Sequence, residues 1–129
     1  MPKVGKGLHE VRTRVTCNLP VNDGKEEKAF LEVLKYLDDL RHEGIGADGY
    51  THSEMRLAVF HGFWWPENAV KPVHDHIVVC TVDYLLATGS PELSKQVKAL
   101  KQTIRKWYRH HGSPQDEIWV VAHPIIRQD

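Results

Sequence analysis

The chain has 129 residues, in which 17 Lys and Arg balance 17 Asp and Glu, and it carries nine histidines. That length suits one domain with a single hydrophobic core and leaves no room for two ordinary ones. A hydrophobic content of 41% with four Trp excludes a disordered chain, and zero net charge gives no whole-molecule attraction to nucleic acid or anionic lipid.

Residues 1–7, rich in Gly and Lys, are expected to be loose, and 8–129 to form the domain. From Leu8 to Leu19, Val11, Thr13, Val15 and Cys17 alternate with polar residues, the period of a half-exposed strand, and Pro20 ends it. Asp23 and Glu26 have capping-box spacing. Phe30, Val33, Leu34, Leu37 and Leu40 then recur every three or four residues, the stripe of a helix that Gly44 and Gly46 would stop. The segment GIGADGYTHSE reads as a loop, and Arg56 to Gly62 as a second strand. FWWPENAVKP, with its two prolines, reads as a long hairpin loop leading into a third, central strand from Asp75 to Tyr84. Ser90-Pro91-Glu92 starts a second helix. Its stripe is Leu93, Val97, Leu100, Ile104 and Trp107 or Tyr108, and Gly112 and Pro114 end it before a last strand over Glu117 to Ile126.

The order β-α-β-β-α-β predicts an α+β, ferredoxin-like split-βαβ fold: a four-stranded, largely antiparallel sheet in the order 4-1-3-2, with both helices on one face. Alternation then sorts the strand residues. The covered face takes Val11, Val15, Cys17, Val78, Cys80, Val82, Ile118, Val120 and Ala122. The open face takes Arg12, Arg14, Thr16, Val79, Thr81, Asp83, Trp119, Val121 and His123. Val79, Trp119 and Val121 together are an apolar patch that another subunit or the hairpin would cover, giving a homo-oligomer. As a single-stranded nucleic-acid platform, the same face would use Trp119 to stack and Arg12 and Arg14 to meet phosphates.

The histidines concentrate at one place. If the hairpin pairs symmetrically, His61 faces residues 75–77 and becomes a cross-strand neighbour of His76. With His74 and Asp75 alongside, this group has the donors for Zn²⁺ or another divalent metal, or for proton transfer. His61 and His76 are the expected ligands. Phe63, Trp64 and Trp65 need burial, and the composition around them suits a small-molecule pocket or a protein interface. His110 and His111 at the end of the basic second helix suit its dipole. His74-Asp75-His76 also resembles the paired histidines of the HUH single-strand nucleases. That resemblance implies a tyrosine nucleophile on a following helix, the position of Tyr108, although Asp75 stands where that pattern has a bulky apolar residue. At the level of topology the chain resembles oligomeric regulators of the PII and ACT type, without any of their motifs.

Cys17 and Cys80 form no metal or redox spacing, which suits a reduced, cytoplasmic protein. The N-terminus lacks the apolar run of a signal peptide, and no window reaches the roughly 18 apolar residues of a membrane span. The expected function is a self-associating domain that binds a small ligand or a protein near the aromatic hairpin. The alternatives are a metal- or His-dependent enzyme at His61, Asp75 and His76, or a nucleic-acid-binding sheet face.

Overall fold

The computed structural model describes residues 12–40, 47–52, 60–64, 70–113 and 118–125. These form β1 (Thr13–Pro20), α1 (Gly24–Leu40), β2 (Ala47–His52), β3 (Phe60–Trp64), β4 (Val73–Tyr84), α2 (Pro91–His110) and β5 (Val120–Pro124). The class is α+β. The sheet is antiparallel throughout and runs β2-β4-β1-β5, with β3 also paired to β4. Among the described residues no helix is long and apolar enough to cross a membrane.

The central strand explains this arrangement. β4 is 12 residues long, and β1 covers one of its edges from Ile77 to Tyr84. The opposite edge is shared by two short strands, β3 opposite 73–77 and β2 opposite 80–84. Two expectations are corrected here. The loop read into GIGADGYTHSE contains a strand, and among the described residues the sheet has five strands where four were expected. The long unpaired edge of β4 supplies hydrogen-bond partners that outweigh the poor strand propensity of a Gly-containing segment. The misfit shows as a register shift between Ala47 and Gly49. Tyr50 anchors β2 to α1, its hydroxyl donating to Asp38; that bond pushes the phenol up to about 12. The hairpin boundary is also corrected, since Phe63 and Trp64 belong to β3.

Alternation sets the core. Along β1, Thr13, Val15, Cys17 and Leu19 are buried while Arg14, Thr16 and Asn18 are half-exposed. Val78, Cys80, Val82 and Tyr84 are the buried set of β4. They pack with Phe30, Val33, Leu37 and Leu40 of α1 and with Leu93, Leu100, Ile104 and Tyr108 of α2 in one cluster, so both helices cover the same sheet face. Thr13 is buried because its hydroxyl donates to the Leu86 carbonyl at 2.8 Å and bonds the Thr88 hydroxyl at 2.6 Å. Both helix starts are capped as expected: the Glu26 N–H donates to Asp23 Oδ1 at 2.9 Å, and the Leu93 N–H to Ser90 Oγ at 3.2 Å. Gly112, at φ +77°, ends α2 in the left-handed conformation that glycine adopts without strain. Gly44, Gly46, Pro114 and the segments 1–11 and 126–129 lie outside the described residues.

Candidate metal site

β4 extends past the end of β1, and the overhang carries the histidines. Where β1 stops at Pro20, the Val21 N–H still donates to the His76 carbonyl at 2.8 Å. The next position is filled by a side chain: Asn22 Oδ1 accepts the His76 N–H at 2.8 Å. Asn22 Nδ2 donates to Asp75 Oδ1 and to Glu26 Oε1, both at 2.9 Å. Glu26, almost fully buried at the start of α1, also accepts the Asn22 N–H at 3.0 Å and the Ser113 hydroxyl at 2.7 Å. A polar hub thus ties the first residues of β4 to the start of α1 and the end of α2.

On the other edge β3 pairs His61 with His76, Gly62 with Asp75 and Phe63 with His74. Successive side chains of a strand point to opposite sides, so His61, His74 and His76 share a side and Asp75 does not. The three rings meet. The His61 centroid lies 5.0 Å from that of His74, nearly parallel, and 5.0 Å from that of His76, nearly perpendicular; His74 and His76 are 4.8 Å apart. His61 Nδ1 and His74 Nε2 share a hydrogen at 2.8 Å. One potential ligand nitrogen from each ring falls within 4.8 Å of the others. Phe63 stacks on the far face of this group, parallel to His74 at 4.6 Å.

The expected cluster of His61, His74, Asp75 and His76 loses one member. Asp75 leaves it, because the pleat turns its carboxylate away toward Asn22, where it is buried. His74 stays, adding a third nitrogen donor to the two expected as ligands, because residues two apart on a strand share a side. Phe63, expected to be buried, is 60% exposed beside the rings. Trp64 occupies the register position opposite Val73, and Trp65 lies outside the described residues.

The open sheet face stays separate. Arg14 and Asp83 face each other across β1 and β4 in a bidentate pair, Nε to Oδ1 at 2.8 Å and the terminal nitrogen to Oδ2 at 3.1 Å. That bond and the charge of Asp83 raise the Arg14 guanidinium above its ordinary range. His123 is the partner of Arg14 across the β1–β5 ladder, on the same face, and is exposed, as are Arg12 and Trp119; Val79 is half-buried. Ala122, expected under the helices, is exposed although it pairs with buried Val15. Tyr108 cannot act as the nucleophile that the HUH resemblance implies. Its ring is buried, its hydroxyl donates to the Pro20 carbonyl at 2.8 Å, and burial pushes the phenol well above its ordinary range. Compared with known proteins, the chain matches no family model, no curated protein and no solved structure.

Proposed function

We propose that this chain is a small metal-binding domain, a ferredoxin-like variant with a divided edge, which holds a divalent transition metal on His61, His74 and His76. The observation that carries the reading is the convergence of three imidazole nitrogens on one side of the β3–β4 ribbon. Imidazole donors without a carboxylate suit Zn²⁺, Cu²⁺ or Ni²⁺ over Mg²⁺ or Ca²⁺. Zinc held at about 2.0–2.1 Å by three imidazole nitrogens would need them about 3.3 Å apart, so the three rings, whose nitrogens lie within 4.8 Å of one another, would turn to close on it. Three protein donors leave a fourth position to water or a small anionic or imidazole-like ligand, with Phe63 as an apolar wall. A bound zinc supplies Lewis acidity there. Asp75, the carboxylate beside the ligands in sequence, faces away from that position.

Titration of metal-free protein with Zn²⁺ in a calorimeter tests the reading. Stoichiometric binding is expected, weakened at least about tenfold by His61→Ala, by His74→Ala and by His76→Ala, and unchanged by the remote His123→Ala. Zinc affinity that ignores the three substitutions refutes it.

Self-association through the open face is a second reading. It is favoured by Trp119 and Val121, 65% and 47% exposed on one side of the last strand. Sedimentation velocity decides it: a dimer or larger species that Trp119→Lys converts to monomer supports it, and a monomer of the unsubstituted chain at micromolar concentration refutes it. Nucleic-acid binding by this face has less support, since the Arg14 guanidinium is already committed to Asp83.

A further inference from the structure

The exposure of Ala122 marks a second site, independent of the histidines. Its partner across the ladder, Val15, is fully buried under the helices, so the pleat directs both side chains toward α2. A methyl group is too short to reach the helix, and a groove of about 420 Å³ opens between α2 and β5. Its floor is apolar, formed by Leu93, Val97 and Ala122. One rim is a line of cations on α2, Lys98, Lys101 and Arg105, at the spacing of successive helical turns. Among the described residues, none of the three forms an ion pair and no carboxylate lines the groove. The volume lies within the usual range of small-molecule sites, about 300–1,000 Å³.

We propose that this groove binds a small organic phosphate with an apolar body. The body lies on Leu93, Val97 and Ala122, and the phosphate meets Lys98, Lys101 and Arg105. Each half of the ligand answers one half of the lining. An apolar molecule alone would leave three cations unpaired, and a bare anion would leave the floor wet. The cations are clustered locally even though the whole chain is neutral, so attraction to an anion is a property of this face.

The test uses 1-naphthyl phosphate as probe, with 1-naphthol and inorganic phosphate as its two halves, by calorimetry or by probe fluorescence. Saturable binding of 1-naphthyl phosphate is expected, with each half at least about tenfold weaker. Two variants then read the two walls separately. Lys101→Glu with Arg105→Glu removes the anion contacts at a half-buried and an exposed position of the helix. Ala122→Leu fills the floor with every cation in place. Each lowers affinity at least about tenfold while the circular dichroism spectrum and the zinc titration stay unchanged. No saturable binding up to about 1 mM probe, or affinity indifferent to both variants, overturns the proposal. Inorganic phosphate binding as tightly as the aryl phosphate overturns it as well, because the floor would then play no part.

Discussion

Asn22 is the side chain whose removal should cost most for its exposure. It makes three side-chain hydrogen bonds: two donated to the carboxylates of Glu26 and Asp75, and one accepted from the His76 N–H. Hydrogen bonds to charged groups contribute roughly 1.5 kcal/mol or more each and a neutral one about 1, for a gross loss of about 4 kcal/mol in Asn22→Ala. Asn22 itself is exposed, so water reaches part of the vacated space and recovers about half. The expected net loss is about 2 kcal/mol, which for a chain of this length lowers Tm by about 8 °C. Asn22→Asp separates the donor role from the acceptor role. It keeps an oxygen for the His76 N–H and replaces the amide donor with a third carboxylate beside Glu26 and Asp75. At neutral pH the substituted protein should therefore be less stable than Asn22→Ala.

The pH dependence has a definite sign. The introduced carboxyl is crowded by like charges in the folded state only, so its folded pKa lies above its unfolded one. The contribution of the introduced carboxyl is then most favourable in acid, where it is protonated and can donate, and is lost as pH rises through the carboxylate range, so the gap to Asn22→Ala widens with pH. Urea unfolding of both variants from about pH 4 to pH 7 measures the difference. If Asn22→Asp matches or exceeds Asn22→Ala at neutral pH, or if their difference does not shrink in acid, Asn22 is not holding two carboxylates apart. Both variants loosen the strand between His74 and His76, so zinc affinity should fall with stability.

Tyr108→Phe removes the hydroxyl that satisfies the Pro20 carbonyl and should cost about 1–1.5 kcal/mol by urea unfolding, with no change in zinc affinity. Ser90→Ala deletes the cap of α2 at a cost of about 1 kcal/mol, read as a lower Tm. Cys17 and Cys80 face each other in the core, and burial pushes each thiol from 9.0 up to about 12. At pH 8 a thiol reagent should label the native protein only as fast as it opens, and urea should bring both into rapid reaction. Folding keeps two protons that the unfolded chain releases. Stability is thus complete below about pH 9 and falls as pH rises toward 12, by about 1.4 kcal/mol per cysteine at about pH 10. Alkaline unfolding that Cys17→Ala leaves unaltered would contradict this.

What was legible in the sequence followed strong periods. The stripe from Phe30 to Leu40 and the Ser90-Pro91-Glu92 start describe the helices as they stand, because those signals are local and burial reinforces them. β2 was not legible. Asp48 and Gly49 carry no strand preference, and the pairing of β2, which skips Asp48, comes from the length of β4, set by residues some thirty positions later. The candidate metal site shows the same division on a smaller scale. Residue types alone grouped Asp75 with His61, His74 and His76, since it stands between two histidines. The pleat divides that group: i and i+2 share a side and i+1 faces away, so His74 and His76 stay with His61 and Asp75 leaves. That rule was available in the sequence once 74–76 was taken as strand. What required the structure was the register across the hairpin, because a slip of one residue would send His61 to the opposite side from both histidines of β4. Ala122 makes the converse point. Its inward direction was readable from alternation, yet its exposure was not, because a groove depends on how far a methyl group falls short of the helix above it. The two proposed sites on this chain sit where a regular element outruns its neighbours, at the overhang of β4 and at the short side chain of β5. Composition and period say least about such places, since both describe the element and neither describes what stops short of it.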